Sequence, residues 1–114
     1  MHKILFAALA YLSLTATASW SQDAMDFYNR GLDSSRANKR IEYFSKAIEL
    51  NPNLAAAYEK RALHYYYQRK FDKAINDYSK FIELKPLEAA AYLMRGLTYL
   101  KKERGGWIKA EIDS

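Results

Sequence analysis

The chain has no cysteine, only two prolines, four glycines and two histidines in 114 residues. Without cysteine there can be no disulfide staple, no thiolate metal site and no lipid-modified cysteine, so any fold is held by packing alone. His64 is the one histidine after His2, and no acid or second histidine stands at ligand spacing from it. It therefore reads as a surface or partly buried side chain, not a metal ligand. Gly105-Gly106 is the single glycine pair, and no Lys-Ser/Thr follows it as a phosphate-cradling loop requires. No serine sits in a nucleophile elbow. Asp72 and Asp77 fall on the polar side of a helical pattern and read as exposed carboxylates, not as a catalytic pair. The expectation is a non-catalytic protein with no cofactor and no metal.

Charge of one sign is also scarce. The formal net charge is +5, with 18 Lys and Arg against 13 Asp and Glu. The two signs alternate along stretches such as Lys39, Arg40, Glu42, Lys46 and Glu49, which is the pattern of a solvated helix face. No nucleic-acid partner is expected. The densest basic run, Lys101-Lys102-Glu103-Arg104, reads as a helix C-terminus whose cations complement the helix dipole.

There is no long apolar run after residue 20. Before it, His2 and Lys3 precede the apolar stretch Ile4–Leu14, and Ala16-Thr17-Ala18 supplies small residues at cleavage spacing. This is the layout of a secretory signal peptide over residues 1–21. It predicts an exported protein, periplasmic or secreted, with cleavage near Ala18 and no membrane span afterwards. The alternative is a retained anchor, because residues 4–20 are uncharged and just long enough to span.

What the chain does have is ten tyrosines and a period. Ala55-Ala56-Ala57-Tyr58 returns 34 residues later as Ala89-Ala90-Ala91-Tyr92, and Pro52 returns as Pro86. Between Ile41–Pro52 and Ile75–Pro86, seven of twelve positions agree; between Ala55–Gln68 and Ala89–Lys102, seven of fourteen. Chance would give about one in each window. A period of this length means stacked units, each too small to bury its own apolar face. Segment 53–68 sets Leu54, Tyr58, Leu63 and Tyr65 near helical spacing. Segment 71–84 sets Phe71, Ala74, Ile75, Tyr78, Phe81 and Ile82 at three- and four-residue steps. Pro86 ends the second segment, and Gln68-Arg69-Lys70 is too short to let the two helices do anything but pack antiparallel.

Tyr58, Arg61-Ala62, Tyr65, Ala74, Tyr78 and Pro86 stand at the offsets of the tetratricopeptide repeat signature. Tyr92, Arg95-Gly96 and Tyr99 open a third match; Phe27, Arg30-Gly31, Phe44, Ala47 and Pro52 form a first. The chain thus resembles the tetratricopeptide repeat family over residues 24–113. The resemblance implies an all-α helix-turn-helix solenoid of about two and a half repeats within residues 22–114. The units are about 24–52, 53–86 and 87–114. Ala62 and Gly96 would sit where the first helix of a unit crosses its second, with Ala74 facing Ala62. The family's register puts Tyr28, Leu32, Glu59, Leu63, Tyr66, Tyr67, Leu93, Leu97, Leu100 and Lys101 along a concave groove. It implies a protein or peptide partner bound there by an exported adaptor. Some members clamp a partner's terminal carboxylate with Lys and Asn; Glu59, Leu63 and Leu97 occupy those places here, so a chaperone-tail ligand is not implied.

Two units depart from the pattern. The first is three residues short around Asp33–Asn38 and puts Arg40 where the small alanine belongs, so its first helix is shortened or its turn reshaped. The third has two extra residues near Gly105-Gly106, followed by Trp107, Ile108 and Ile112 placed for a second helix that has barely begun. Three readings of that end stay open: a short cap, an apolar face covered by another chain, or a truncated piece of a longer array. Correspondingly, the alternative to an adaptor is a structural subunit of an envelope assembly docking through its C-terminal face. The oligomeric state is left open by the sequence.

Overall fold

The computed structural model describes residues 19–113, and they form five helices with no strand among the described residues. They are α1 (19–33), α2 (Ala37–Leu50), α3 (Ala55–Tyr67), α4 (Phe71–Leu84) and α5 (Ala89–Asp113). The signal-peptide and anchor readings fall on residues that are, but for the last few, outside the described ones. Among the described residues no helix is long and apolar enough to cross a membrane.

Proline sets the repeat boundaries. The residues before Pro52 and Pro86, Asn51 and Lys85, leave helical geometry at φ −139° and −134°, as the clash with a following proline ring requires. Each proline carbonyl is then taken up by the next helix. The Tyr58 hydroxyl donates to Pro52 O at 2.9 Å, and 34 residues on the Tyr92 hydroxyl donates to Pro86 O at 3.0 Å. A second tie repeats at the same shift: Arg61 Nη1 donates to Ser45 Oγ at 3.1 Å and Arg95 Nη1 to Ser79 Oγ at 3.2 Å. The guanidiniums of Arg30, Arg61 and Arg95 each lie 5.6–5.9 Å from the ring three residues earlier, Phe27, Tyr58 and Tyr92. The period seen in the letters is therefore a period in contacts, which is what makes the helices one all-α solenoid.

Small residues set the crossings. Ala62 on α3 and Ala74 on α4 are both fully buried and share a cluster with Tyr78. In the first pair the crossing is built differently. Gly31 on α1 lies against the Phe44 ring, where a Cβ would come within 2.5 Å of a ring carbon. The reshaping expected near residues 33–38 lies in the turn. The α3–α4 turn ends in a left-handed Arg69 (φ 61°), with Lys70 N donating to Tyr65 O and Arg69 N to Tyr66 O, a Schellman closure. The α1–α2 turn has no such residue. Instead the Arg40 guanidinium donates to the Ser34 carbonyl, which gives this larger residue a use at the alanine's register position.

Three expectations are corrected. Asp77 is not an exposed carboxylate; it is 5% exposed, because Arg61 on the facing helix pairs with both its oxygens. A buried charge persists when a bidentate partner replaces its water. Second, no turn forms at Gly105-Gly106. Helix α5 runs unbroken through them for 25 residues. Two interior glycines cost about 1 kcal/mol each relative to alanine, while each added residue of a continuing helix makes a hydrogen bond without a new nucleus. The basic run 101–104 therefore lies mid-helix, where Lys102 pairs with Asp72 of α4 at 2.6 Å, and does not complement a helix end. Third, Gly96 does not sit at a crossing: a Cβ there would meet nothing within 4 Å.

Candidate peptide-binding cleft

Three helices enclose one well-formed cleft. Glu59, Lys60 and Leu63 of α3 face Ala90, Ala91 and Met94 of α5 across a floor made by Tyr78 and Phe81 of α4, with Glu88 at the rim; the volume is about 230 Å³. The phase of each helix follows from what it buries. On α5, Ala91, Met94 and Thr98 are spaced at three and four residues; Ala91 and Thr98 are buried, and Met94 packs on the Ala62–Ala74–Tyr78 cluster. Thr98 satisfies its hydroxyl on the Met94 carbonyl at 2.6 Å, so it adds no polar demand to the interface.

The cleft's lining is apolar at the base and charged at the lip. Glu59 is exposed but sits within electrostatic reach of two hydroxyls. Burial, and then the Glu59 carboxylate, hold the Tyr28 hydroxyl above its ordinary pKa. Burial, followed by Glu59, Tyr67 and Tyr66, pushes Tyr78 up to about 12. Both phenols therefore stay protonated and neutral at physiological pH. Tyr28 of α1 also packs on Phe44 at 5.8 Å, so its ring is held by the stack.

The structure divides the ten sequence-predicted groove residues into four groups. Glu59 and Leu63 line the cleft. Tyr66, Tyr67 and Lys101 line a shallower hollow with Arg69 and Phe71 at the α3–α4 turn, about 180 Å³ in volume; there Tyr66 meets Tyr67 and Phe71 edge-on at 5.8 and 5.9 Å. Leu93, Leu97 and Leu100 form an exposed stripe on α5 beside the cleft. Tyr28 faces Phe44, and Leu32 is exposed at the end of α1. Sequence reasoning missed Met94, Ala90, Ala91, Tyr78 and Phe81 as lining. Met94 is one residue from the predicted Leu93, a rotation of about 100° on a helix, and the buried Thr98 would have given the phase.

His64 lies outside the cleft, stacked on Phe44 at 5.9 Å. Burial, then Arg40 and Lys60, lower its pKa. Among the described residues no group of three or more His, Cys, Asp or Glu is placed to hold a metal ion.

Comparison with known proteins agrees with the contacts. Residues 32–54, from the end of α1 through α2, match the tetratricopeptide repeat family profile. No curated protein matches the sequence. Among solved structures, the crystal structure of MamA protein is similar with a TM-score of 0.69 and 33% identity, over 78% of this chain and 51% of that one. The chain thus spans about half the length of that structure. The Arabidopsis OM64 TPR domain is similar with a TM-score of 0.56 over 79% of this chain and 71% of that one. Its 24% identity makes this a likeness of fold alone.

Proposed function

The chain belongs to the tetratricopeptide repeat family, whose repeats form protein–protein interaction modules, and from that premise we propose that it is a non-catalytic adaptor that anchors a peptide segment of a protein partner in the α3–α5 cleft. The observation that carries this reading is the cleft itself. At about 230 Å³ it is smaller than the roughly 300–1,000 Å³ of a metabolite or cofactor site. Its size and apolar base suit one or two side chains of an extended or helical segment. Leu63, Phe81 and Met94 supply the apolar contact. Glu59 and Lys60 on α3 and Glu88 before α5 supply charges at the lip that select register. Export by cleavage of residues 1–21 belongs to the same proposal, supported by Lys3, the apolar run and Ala16-Thr17-Ala18; N-terminal sequencing of the chain recovered from cells tests it.

The test of the cleft is selection from a random dodecapeptide library displayed on phage, followed by affinity measurement of the winning peptides. Leu63→Glu with Met94→Glu should weaken binding by about thirtyfold, the loss of roughly 2 kcal/mol at an interface anchor, with helix content unchanged. Selected peptides that bind this double variant as they bind the parent would exclude the cleft.

A further inference from the structure

The end of α5 carries the residues of a helix that would pack on α5 itself. In the second unit Ala74 and Phe71 of α4 lie opposite the first helix, with Ala74 beside Ala62 in one buried cluster. A shift of 36 places Trp107 at Phe71, Lys109 at Lys73, Ala110 at Ala74 and Asp113 at Asp77. The same shift places Gly105 at Arg69, the one non-glycine residue with positive φ among those described. Three of the seven residues 107–113 are identical to their counterparts in the first two turns of α4 and Trp107 replaces the aromatic Phe71, while Ile108, Glu111 and Ile112 differ. A docking face for residues 107–113 is also present: Tyr92, Gly96 and Tyr99 on α5 stand where Tyr58, Ala62 and Tyr65 stand on α3. That face is bare. Tyr92 and Tyr99 are exposed, and the Gly96 position is open on every side within 4 Å.

The two halves cannot meet within this chain as it stands. Helix α5 is continuous through Gly105-Gly106, so residues 96 and 110 are about 21 Å apart along it, at 1.5 Å per residue. A second copy brings them together. We propose that two copies of this chain pair α5 against α5 in antiparallel fashion, each laying residues 107–113 on the Tyr92–Tyr99 face of the other.

The register is self-consistent. Setting Ala110 of one copy against Gly96 of the other, as Ala74 lies against Ala62, puts Trp107 opposite Tyr99 and Asp113 within reach of Arg95, as Asp77 is of Arg61. The two-fold axis passes beside Glu103. Each contact then occurs twice, which is what a closed isologous pair requires. Trp107, exposed on the single chain, becomes covered. The face used lies on a different side of α5 from Ala91 and Met94, so the cleft stays free.

The chain's lack of cysteine makes the test direct. In the full chain, Gly96→Cys with Ala110→Cys, mildly oxidised, should give a covalent dimer on a non-reducing gel. Either single variant should run as the single chain on that gel, because like-numbered residues in this register are again about 21 Å apart. A disulfide formed only within one chain would mean that α5 folds back on itself, and that result, or no disulfide at all, overturns the pairing. Light scattering supplies the second measurement. Trp107→Ala should weaken the native dimer by about tenfold or more with helix content kept, and Gly105→Ala with Gly106→Ala should preserve it, since the continuous helix is the pairing form. The glycine sites accept a methyl, because Gly105 meets only Arg69 Nη2 at 3.7 Å and Gly106 meets nothing. A dimer indifferent to Trp107, or one lost on replacing the two glycines with alanine, would equally refute it.

Discussion

Arg61 holds Asp77 through two parallel hydrogen bonds of 2.7 Å, Nε to one carboxylate oxygen and Nη2 to the other. The pair ties α3 to α4, and the third guanidinium nitrogen reaches Ser45 on α2 at 3.1 Å. One side chain thereby joins three helices and two units. Burial, the largest single effect, lowers the Arg61 pKa, but the Asp77 hydrogen bonds, the Asp77 charge and Tyr65 and Tyr58 together outweigh it, so the net shift is upward and the guanidinium stays charged.

Asp77→Ala leaves that guanidinium partly buried with only the neutral Ser45 hydroxyl as partner. It should cost about 3–5 kcal/mol, the range for breaking one side of a buried pair. Asp72→Ala, on the same helix, removes only the exposed Asp72–Lys102 pair and should cost under about 1 kcal/mol. Urea unfolding of the two variants checks this. Equal midpoints would mean that the Arg61 contact adds nothing to a surface ion pair.

The Ala62–Ala74 crossing gives a second comparison. Ala74→Leu forces a larger side chain into a site with no exposed surface and should lose about 1–3 kcal/mol. Asn76→Leu, two residues on and exposed, should change stability by less than about 0.5 kcal/mol. Melting temperatures several degrees apart are expected; indistinguishable ones would put the crossing elsewhere.

His64 sets a pH dependence. Burial, then Arg40 and Lys60, lower its folded-state pKa below the unfolded 6.5. The unfolded chain therefore takes up the proton first as the pH falls, and the folded state loses stability from about pH 6.5 downward. His64→Phe, which keeps the ring on Phe44, should flatten the melting temperature between pH 7.5 and 5.5 relative to the parent. Parallel curves for the two proteins would assign the slope to other groups.

How much of this was legible in the sequence depended on whether a signal was repeated. Ala55–Tyr58 against Ala89–Tyr92, and Pro52 against Pro86, gave the helices, the turns and the solenoid, because each copy confirms the other's phase. Asp77 was not legible. On its own helix it falls in a polar stripe, and only the partner 16 residues away on α3 makes it buried. The unbroken α5 was not legible either. Gly105-Gly106 marks a helix end by local propensity, but the penalty is of the order of 2 kcal/mol and a turn is worth forming only when a packed partner follows. In the cleft, Glu59 and Leu63 were found from the family register, while Met94 was missed because that register was followed to Leu93, about 100° round the helix.

The α3–α4 turn tests how much the backbone at Arg69 decides. Arg69 holds φ at 61°, a region that costs an L-residue roughly 1 kcal/mol and glycine little. Its guanidinium lies 5.6 Å from the Phe71 ring, an exposed contact of about 0.5–1 kcal/mol. Arg69→Gly removes both terms and should leave stability within about 0.5 kcal/mol of the parent, whereas Arg69→Val, β-branched and intolerant of positive φ, should lose 1 kcal/mol or more. Thermal melts that rank valine at or above glycine would show that the turn can relax its backbone.

Gly31 and Gly96 occupy like places in the first and third units, yet alanine should act on them in opposite directions. Both lie within helices, where alanine is favoured by about 1 kcal/mol. At Gly96 nothing stands within 4 Å of the new methyl, so Gly96→Ala should realise that gain and raise the melting temperature by several degrees. At Gly31 the methyl would come 2.5, 2.8 and 3.0 Å from three atoms of the Phe44 ring. Phe44 has no exposed surface, is flanked by Tyr28 and His64, and cannot swing away. The overlap of about 1–3 kcal/mol exceeds the propensity gain, so Gly31→Ala should melt lower than the parent. Phe44→Leu added to Gly31→Ala should recover part of the loss, because a smaller side chain makes room. If Gly31→Ala instead stabilised the chain as much as Gly96→Ala, α1 would have to sit farther from α2 than the Phe44 contact places it.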